Sequence, residues 1–155
     1  MAGDLIQTPQ TRWIQGNYES VRRGTLIVLH ARVTTVAGND RWTTFREQFT
    51  TAGYAVPAGK SLYVTDLYFL SNVAGIFHQL LYGDNDKGIS SAVAPTNPVY
   101  YDGNPLGGAA AWAALAANTN YHFPIHARFP AAKYPALTTS GATTVYFATL
   151  IGHEE

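Results

Sequence analysis

Apolar and polar positions alternate in short runs along most of the chain, and their period is two, the period of β-strands rather than helices. The run that organises the rest is Tyr54–Ser71, YAVPAGKSLYVTDLYFLS. Pro57 presets φ for the first corner of a type I turn, and Gly59 stands where such turns favour glycine. Beyond the turn, strict alternation puts Leu62, Val64, Tyr68 and Leu70 on one face and Tyr63, Leu67 and Phe69 on the other. A strand of an antiparallel sheet needs only one apolar face. The second therefore calls for another layer or another subunit, and Tyr63, Leu67 and Phe69 are the expected oligomer interface. Asp66 interrupts the first face, where a buried carboxylate needs an ion pair or a polar contact.

The other runs extend this picture. Thr25–Val36 is a predicted strand with Ile27, Leu29, Ala31 and Val33 on one face and His30, Arg32 and Thr34 on the other. After a turn at Gly38-Asn39-Asp40, Arg41–Thr50 is expected to continue as a strand, with Phe45 and Phe49 sharing a face. Ile76–Tyr82 is a strand closed by the tight polar loop Gly83–Gly88, and Ile89–Val93 and Pro98–Tyr101 are short strands. Asp102–Pro105 is a turn, and the alanine-rich Gly107–Asn118 a loop with at most one helical turn. Tyr121–Phe129 and Tyr134–Thr139 carry Pro124 and Pro135, which assigns them to edges or bends. Thr143–Ile151, TTVYFATLI, closes the series and is again apolar on both faces.

About eight short strands divided by Gly, Pro and Asn turns predict an all-β, antiparallel β-sandwich. One internal echo points to the jelly-roll type. Val56-Pro57-Ala58-Gly59-Lys60 is answered by Phe129-Pro130-Ala131-Ala132-Lys133, each leading into a strand. The polar stretch Met1–Gly24, broken by Pro9, Gly16 and Gly24, is an expected extended arm ahead of a sandwich domain spanning 25–155. Trp13, Ile14 and Tyr18 are its candidate anchors on a neighbour, with Arg22 and Arg23 either an acidic-surface contact or a solvated corner.

Composition narrows the partners. Only 13% of the 155 residues are charged, and ten cations balance ten anions. A neutral, charge-poor surface favours association and lacks the basic footprint of a nucleic-acid binder. No cysteine is present, which removes disulfides and thiolate chemistry. No apolar run has the length of a membrane span, and Met1–Trp13 lacks the pattern of a signal peptide, so neither a membrane nor an export route is expected.

Candidate chemistry is sparse. His122 and His126 share a strand face, but their Cα atoms would lie roughly 13 Å apart on a straight strand, and no carboxylate is near them in sequence. Asp84-Asn85-Asp86-Lys87-Gly88 opens like a calcium loop but has glycine at position five and Pro95 at twelve, so it reads as a hairpin turn. No catalytic or phosphate-binding motif stands out, and the expectation is no enzyme, no metal and no cofactor. The ten tyrosines and three tryptophans suit packing and interfaces. Tyr100 and Tyr101, beside Asp102 and Asn104, are the candidate sugar-stacking platform.

Three stretches, VPAGKSLYVTDLYF, HFPIHARFPAAKYPAL and VYFATLIGHEE, together resemble the jelly-roll virion proteins of tailed bacteriophages, among them head decoration (cement) proteins and small tail or baseplate proteins. The resemblance spans about Thr50–Glu155 and does not include the arm. It implies a non-enzymatic structural protein, often trimeric, made in the host cytoplasm and carried on the virion. It also implies a major capsid protein or another virion protein as the partner. A carbohydrate- or receptor-binding module of a tail or baseplate is the alternative, and a small cupin-like enzyme ranks last.

Overall fold

The computed structural model describes residues 24–34, 41–73, 78–101, 116–139 and 145–155. The expected arm with Trp13, Ile14, Tyr18, Arg22 and Arg23, the Gly38–Asp40 and Asp102–Pro105 turns and most of Gly107–Asn118 lie outside them. The described residues form strands and loops with no helix: β1 (Thr25–Thr34), β2 (Arg41–Thr44), β3 (Leu62–Ser71), β4 (His78–Gly83), β5 (Val99–Tyr100), β6 (Tyr121–Phe129), β7 (Tyr134–Thr139) and β8 (Val145–Glu154). They make two four-stranded sheets, in the orders β1-β8-β3-β6 and β2-β7-β4-β5. Every pairing within them is antiparallel. Each sheet turns one face inward, and the core between them is built from Leu29, Phe45, Leu62, Leu67, Phe69, Leu80, Phe129, Leu137, Tyr146 and Leu150.

The central strand β3 corrects the simple alternation. Its burial runs inward at Leu62 and Val64, slips at Thr65-Asp66, and resumes inward at Leu67 and Phe69. Opposite β8, Val64 pairs with Gly152 and Asp66 with Ile151, so β3 carries one extra residue, a β-bulge. The bulge reverses the parity of everything after it. Leu67 and Phe69 are core residues, not an oligomer interface, and Tyr68 turns outward; only Tyr63 of the three expected interface residues sits on the outer face. The partner of the bulge has to be glycine. A Cβ on Gly152 would stand 2.2 Å from the Tyr63 carbonyl oxygen, and that atom belongs to backbone, which cannot move aside.

The second expected strand is also shorter than the pattern implies. β2 ends at Thr44, Phe45 enters the core, and Arg46 crosses to the other sheet. There His30 N–H donates to the Arg46 carbonyl (2.8 Å) and Arg46 N–H to the His30 carbonyl (3.0 Å). Phe49, expected beside Phe45, lies instead in the following turn, 95% exposed and with φ 66°. The loop after β4 is no hairpin turn but a long excursion: of the strand expected at Ile89–Val93, only Ser91 bridges, to Trp42 on the free edge of β2.

The prolines divide. Pro124 lies in β6, an edge strand, as its missing N–H requires. Pro135, expected at an edge or a bend, is in β7, which has a neighbour on each side. It is tolerated because it falls just past the end of β2. Phe45 N–H donates to the Pro135 carbonyl (2.9 Å), while the Phe45 carbonyl, which a residue with an N–H would have served, accepts from Tyr54 N–H (2.7 Å).

The two echoing segments meet in space. Ala132 N–H donates to the Val56 carbonyl (2.8 Å) and Val56 N–H to the Lys133 carbonyl (2.9 Å). Both turns need a left-handed residue at the same place, Gly59 with φ 75° and Ala132 with φ 60°. Glycine takes that conformation freely, whereas a Cβ there costs about 1–2 kcal/mol. We therefore expect Ala132→Gly to raise stability by up to about 1 kcal/mol, and Gly59→Ala to lower it by a similar amount. Denaturant unfolding of the two variants checks this, and a loss of stability in Ala132→Gly contradicts it.

A buried carboxylate closes the end of β8. Glu154 accepts a hydrogen bond from the Tyr54 hydroxyl inside the protein. Burial, with the neighbouring charge of Glu47 second, pushes its pKa above the ordinary glutamate value. A carboxyl raised on folding contributes stability that is complete below its unfolded pKa of about 4.3 and is lost as pH rises through its folded pKa. Glu154→Gln keeps an acceptor for Tyr54 and removes that loss. Its melting temperature should exceed that of the parent by a few degrees at pH 7, with the gap closing toward pH 4. A gap that widens on acidification would contradict the assignment.

Candidate functional site

The two sheets differ in how their outer faces are finished. On the β2-β7-β4-β5 sheet, Thr44, Ala136 and Leu81 lie in register on the outer side, and all three are buried. The Asp84–Pro98 loop reaches this side, where Lys87 N–H donates to Thr44 Oγ1 (2.8 Å). On the β1-β8-β3-β6 sheet, the outer face keeps Leu26 58%, Phe147 45%, Tyr68 43% and Val28 38% exposed. Single exposed apolar residues are ordinary, but four on one sheet face mark a candidate contact surface.

Alternation also brings four of the five histidines to this face: His30 from β1, His122 and His126 from β6 and His153 from β8. They fall into cross-strand rows. In one, Leu26, His153, Tyr63 and Arg128 stand side by side. Tyr63 stacks on His153 with centroids 5.5 Å apart, and the Arg128 guanidinium lies 5.8 Å from the Tyr63 ring centre. In another, His30, Thr149, Tyr68 and His122 align. The rings of Tyr68 and His122 stack at 4.5 Å, and His30 Nδ1 and Thr149 Oγ1 share a hydrogen bond of 3.2 Å. A third contact sets the Arg32 guanidinium 5.2 Å from the Phe147 ring centre.

Asp66 takes its partner on this face. The bulge turns it outward, where its Oδ1 lies 2.6 Å from His122 Nε2 and its Oδ2 accepts from Thr65 Oγ1 at 2.7 Å. Burial pushes the Asp66 pKa up. The hydrogen bonds from His122 and Thr65 and the nearby charges of His122 and His126 outweigh it and hold the carboxyl below its ordinary value. The sequence left this partner open, because the strands are joined by pairing across 56 positions. Within the described residues the pair is completed by the Thr65 hydroxyl, and the contact holds the His122 ring in place across the two strands.

The remaining candidates are dispersed. Tyr101 packs against the core and its hydroxyl donates to the His126 carbonyl (3.2 Å), while Tyr100 pairs with Leu81 on the opposite side of β5. The two rings therefore make no common sugar platform. In the Asp84–Gly88 loop the oxygens are already engaged. Asp84 accepts from Asn97 and Lys133, Asn85 accepts from Thr96 N–H, and Asp86 accepts from the N–H groups of Gly53 and Gly88. Among the described residues no three His, Asp or Glu side chains converge as metal ligands. Nor does any described helix have the length and apolarity to cross a membrane.

A cleft of about 570 Å³ opens at the β1 end of this outer face, between Arg32, Phe147 and Thr149 on the sheet and Arg46, Ile89 and Ser90 beside it. No local pattern in the chain marks it. Its walls come from four segments distant in sequence, brought together by the Arg46 crossing and the Ser91 bridge.

Comparison of this chain with protein-family models, with curated proteins and with solved structures finds no match.

The Asp66–His122 contact is half-exposed, and such pairs contribute about 0–1 kcal/mol. Replacing His122 with Ala should therefore cost less than about 1 kcal/mol, yet move the Asp66 pKa upward, toward or above its ordinary value. The stability that this carboxyl gives is present above its unfolded pKa and lost as pH falls through the lower folded value. Carboxyl NMR titration of Asp66 in both proteins checks the shift, and an unmoved pKa would show that His122 is a bystander.

Proposed function

We propose that the protein is a non-enzymatic structural component of a virion, a decoration protein of jelly-roll type that acts by surface contact. The observation carrying this reading is the unequal finish of the two sheets: one outer face is sealed by the chain itself, and the other presents Leu26, Val28, Tyr68 and Phe147. The strand orders support the jelly-roll assignment. Across each sheet, partners distant in sequence lie side by side, β1 with β8 and β2 with β7, as two interleaved Greek keys demand. The arm Met1–Gly24, with Trp13, Ile14 and Tyr18, then serves as a second attachment to a neighbouring virion protein.

Phe49 favours the same reading. A bulky residue with positive φ is strained, and one 95% exposed recovers nothing inside its own domain. A residue costly in the isolated chain is explained by a contact in an assembly.

The expected state is a homo-oligomer, a trimer, built on the open outer face. Sedimentation of the intact protein at micromolar concentration should give a species larger than the monomer. Leu26→Asp should dissociate it without loss of fold. Phe49→Gly should stabilise the monomer while weakening assembly or attachment. A parent protein that sediments as a stable monomer, indistinguishable from Leu26→Asp, overturns the oligomer.

A further inference from the structure

We infer that the cleft at the β1 end of the outer face is a binding site for a small organic oxyanion, a carboxylate or phosphate carried on an apolar body. Its volume, about 570 Å³, falls within the range of small-molecule sites. Its lining divides in the way such sites do. Phe147 and Ile89 supply apolar walls, and the polar lining comes from Arg32, Arg46, Ser90 and the mutually hydrogen-bonded His30 and Thr149. Among the described residues no carboxylate lines it.

Among the described residues the two arginines meet no competing anion in the cleft. Arg46 Nε is buried and has no hydrogen-bond partner, and its Nη2 makes only a long contact of 3.5 Å to the Thr44 carbonyl. A buried donor left unpaired is costly, so Arg46 is incompletely satisfied as it stands. The carboxylate whose charge Arg46 senses, Asp86, already accepts from Gly53 and Gly88 N–H at 2.8 and 2.7 Å. Arg32 is held over Phe147, which fixes its planar fork beside an apolar surface. An oxyanion between the two guanidinium groups would receive charge-assisted hydrogen bonds, and an attached ring or branched chain would lie along Phe147 and Ile89. Carboxylate and phosphate heads share this recognition chemistry.

The cleft shares Phe147 with the face of the assembly reading but not its other residues, and the test keeps the two readings apart. Benzoate, phenyl phosphate and, as the neutral control, benzyl alcohol are titrated into the intact protein at low salt. Binding is followed by calorimetry and by amide NMR shifts, with sedimentation run in parallel. The expected result is saturable binding of at least one anionic probe, with shifts at Arg32, Phe147 and Thr149, weakening as salt is raised. Benzyl alcohol should bind at least about tenfold more weakly, and Arg32→Gln and Arg46→Gln should each lose about tenfold or more. The Arg32 side chain is exposed, so Arg32→Gln remains informative even if Arg46→Gln fails to fold. A preference for phosphate over carboxylate, or the reverse, identifies the head group. Absence of saturable binding by both anions, equal binding of the neutral control, or unchanged affinity in Arg32→Gln overturns the proposal, whatever the oligomeric state.

Discussion

One extra residue in the middle of β3 governs the rest of the molecule. The bulge between Val64 and Asp66 lets a single strand pack Leu62 and Val64 inward before it and Leu67 and Phe69 inward after it. Without that slip, the second half of the strand would present Asp66 and Tyr68 to the core and leave Leu67 and Phe69 in water. Burying an ionised carboxylate without its partner and exposing two large apolar side chains would each oppose folding. The slip is possible because Gly152 on β8 lets the Tyr63 carbonyl approach where a Cβ would collide. A strand contact with no side chain on one partner thus decides the composition of both the core and the outer face.

The edges of the sandwich are managed by the same economy of backbone pairing. The free edge of β2 is taken by the Gly88–Ser91 segment: Thr44 N–H donates to the Gly88 carbonyl and Trp42 N–H to the Ser91 carbonyl. The edge of β1 is met at His30 by Arg46, arriving from the opposite sheet. Asp86 anchors this corner by accepting from Gly53 and Gly88; burial raises its pKa, but those bonds, the Thr44 hydroxyl and the charge of Arg46 outweigh it and hold the carboxyl below its ordinary value. Covered edges resist uncontrolled strand addition. They also shape the surface, since the segments that cover them wall the cleft beside Phe147.

The open outer face combines weak charge pairs with stacked rings. Its ion pairs are too exposed to hold the fold, so their role is to orient: Asp66 fixes the His122 ring over Tyr68, and Arg128 and His153 flank Tyr63. Preset rings and guanidinium groups lose little conformational entropy when they meet a partner, which suits a contact surface. The cleft at one end of this face differs in kind, because it is concave and its arginines meet no carboxylate among the described residues.

From the sequence alone, the alternation of period two and the Gly and Pro turns determined an all-β chain, two antiparallel layers and the position of most strands. The repeated Pro-Ala-x-Lys turns could be read as related, and the left-handed residues Gly59 and Ala132 give that echo its physical cause. What alternation could not carry was phase. A bulge leaves no apolar signature, so strict alternation puts Leu67 and Phe69 on the wrong side, and the partner glycine lies 88 positions from Val64. Pro135 looked like an edge residue because the sequence does not say which neighbouring strand ends beside it. Tyr100 and Tyr101 are adjacent in the chain and opposed in space for the same reason that residues two apart share a face. The Asp66–His122 pair and the Arg46 cleft were decided only by tertiary structure. Both join segments that are distant in sequence, and hydrogen-bond register between strands, unlike burial, is written in no local pattern.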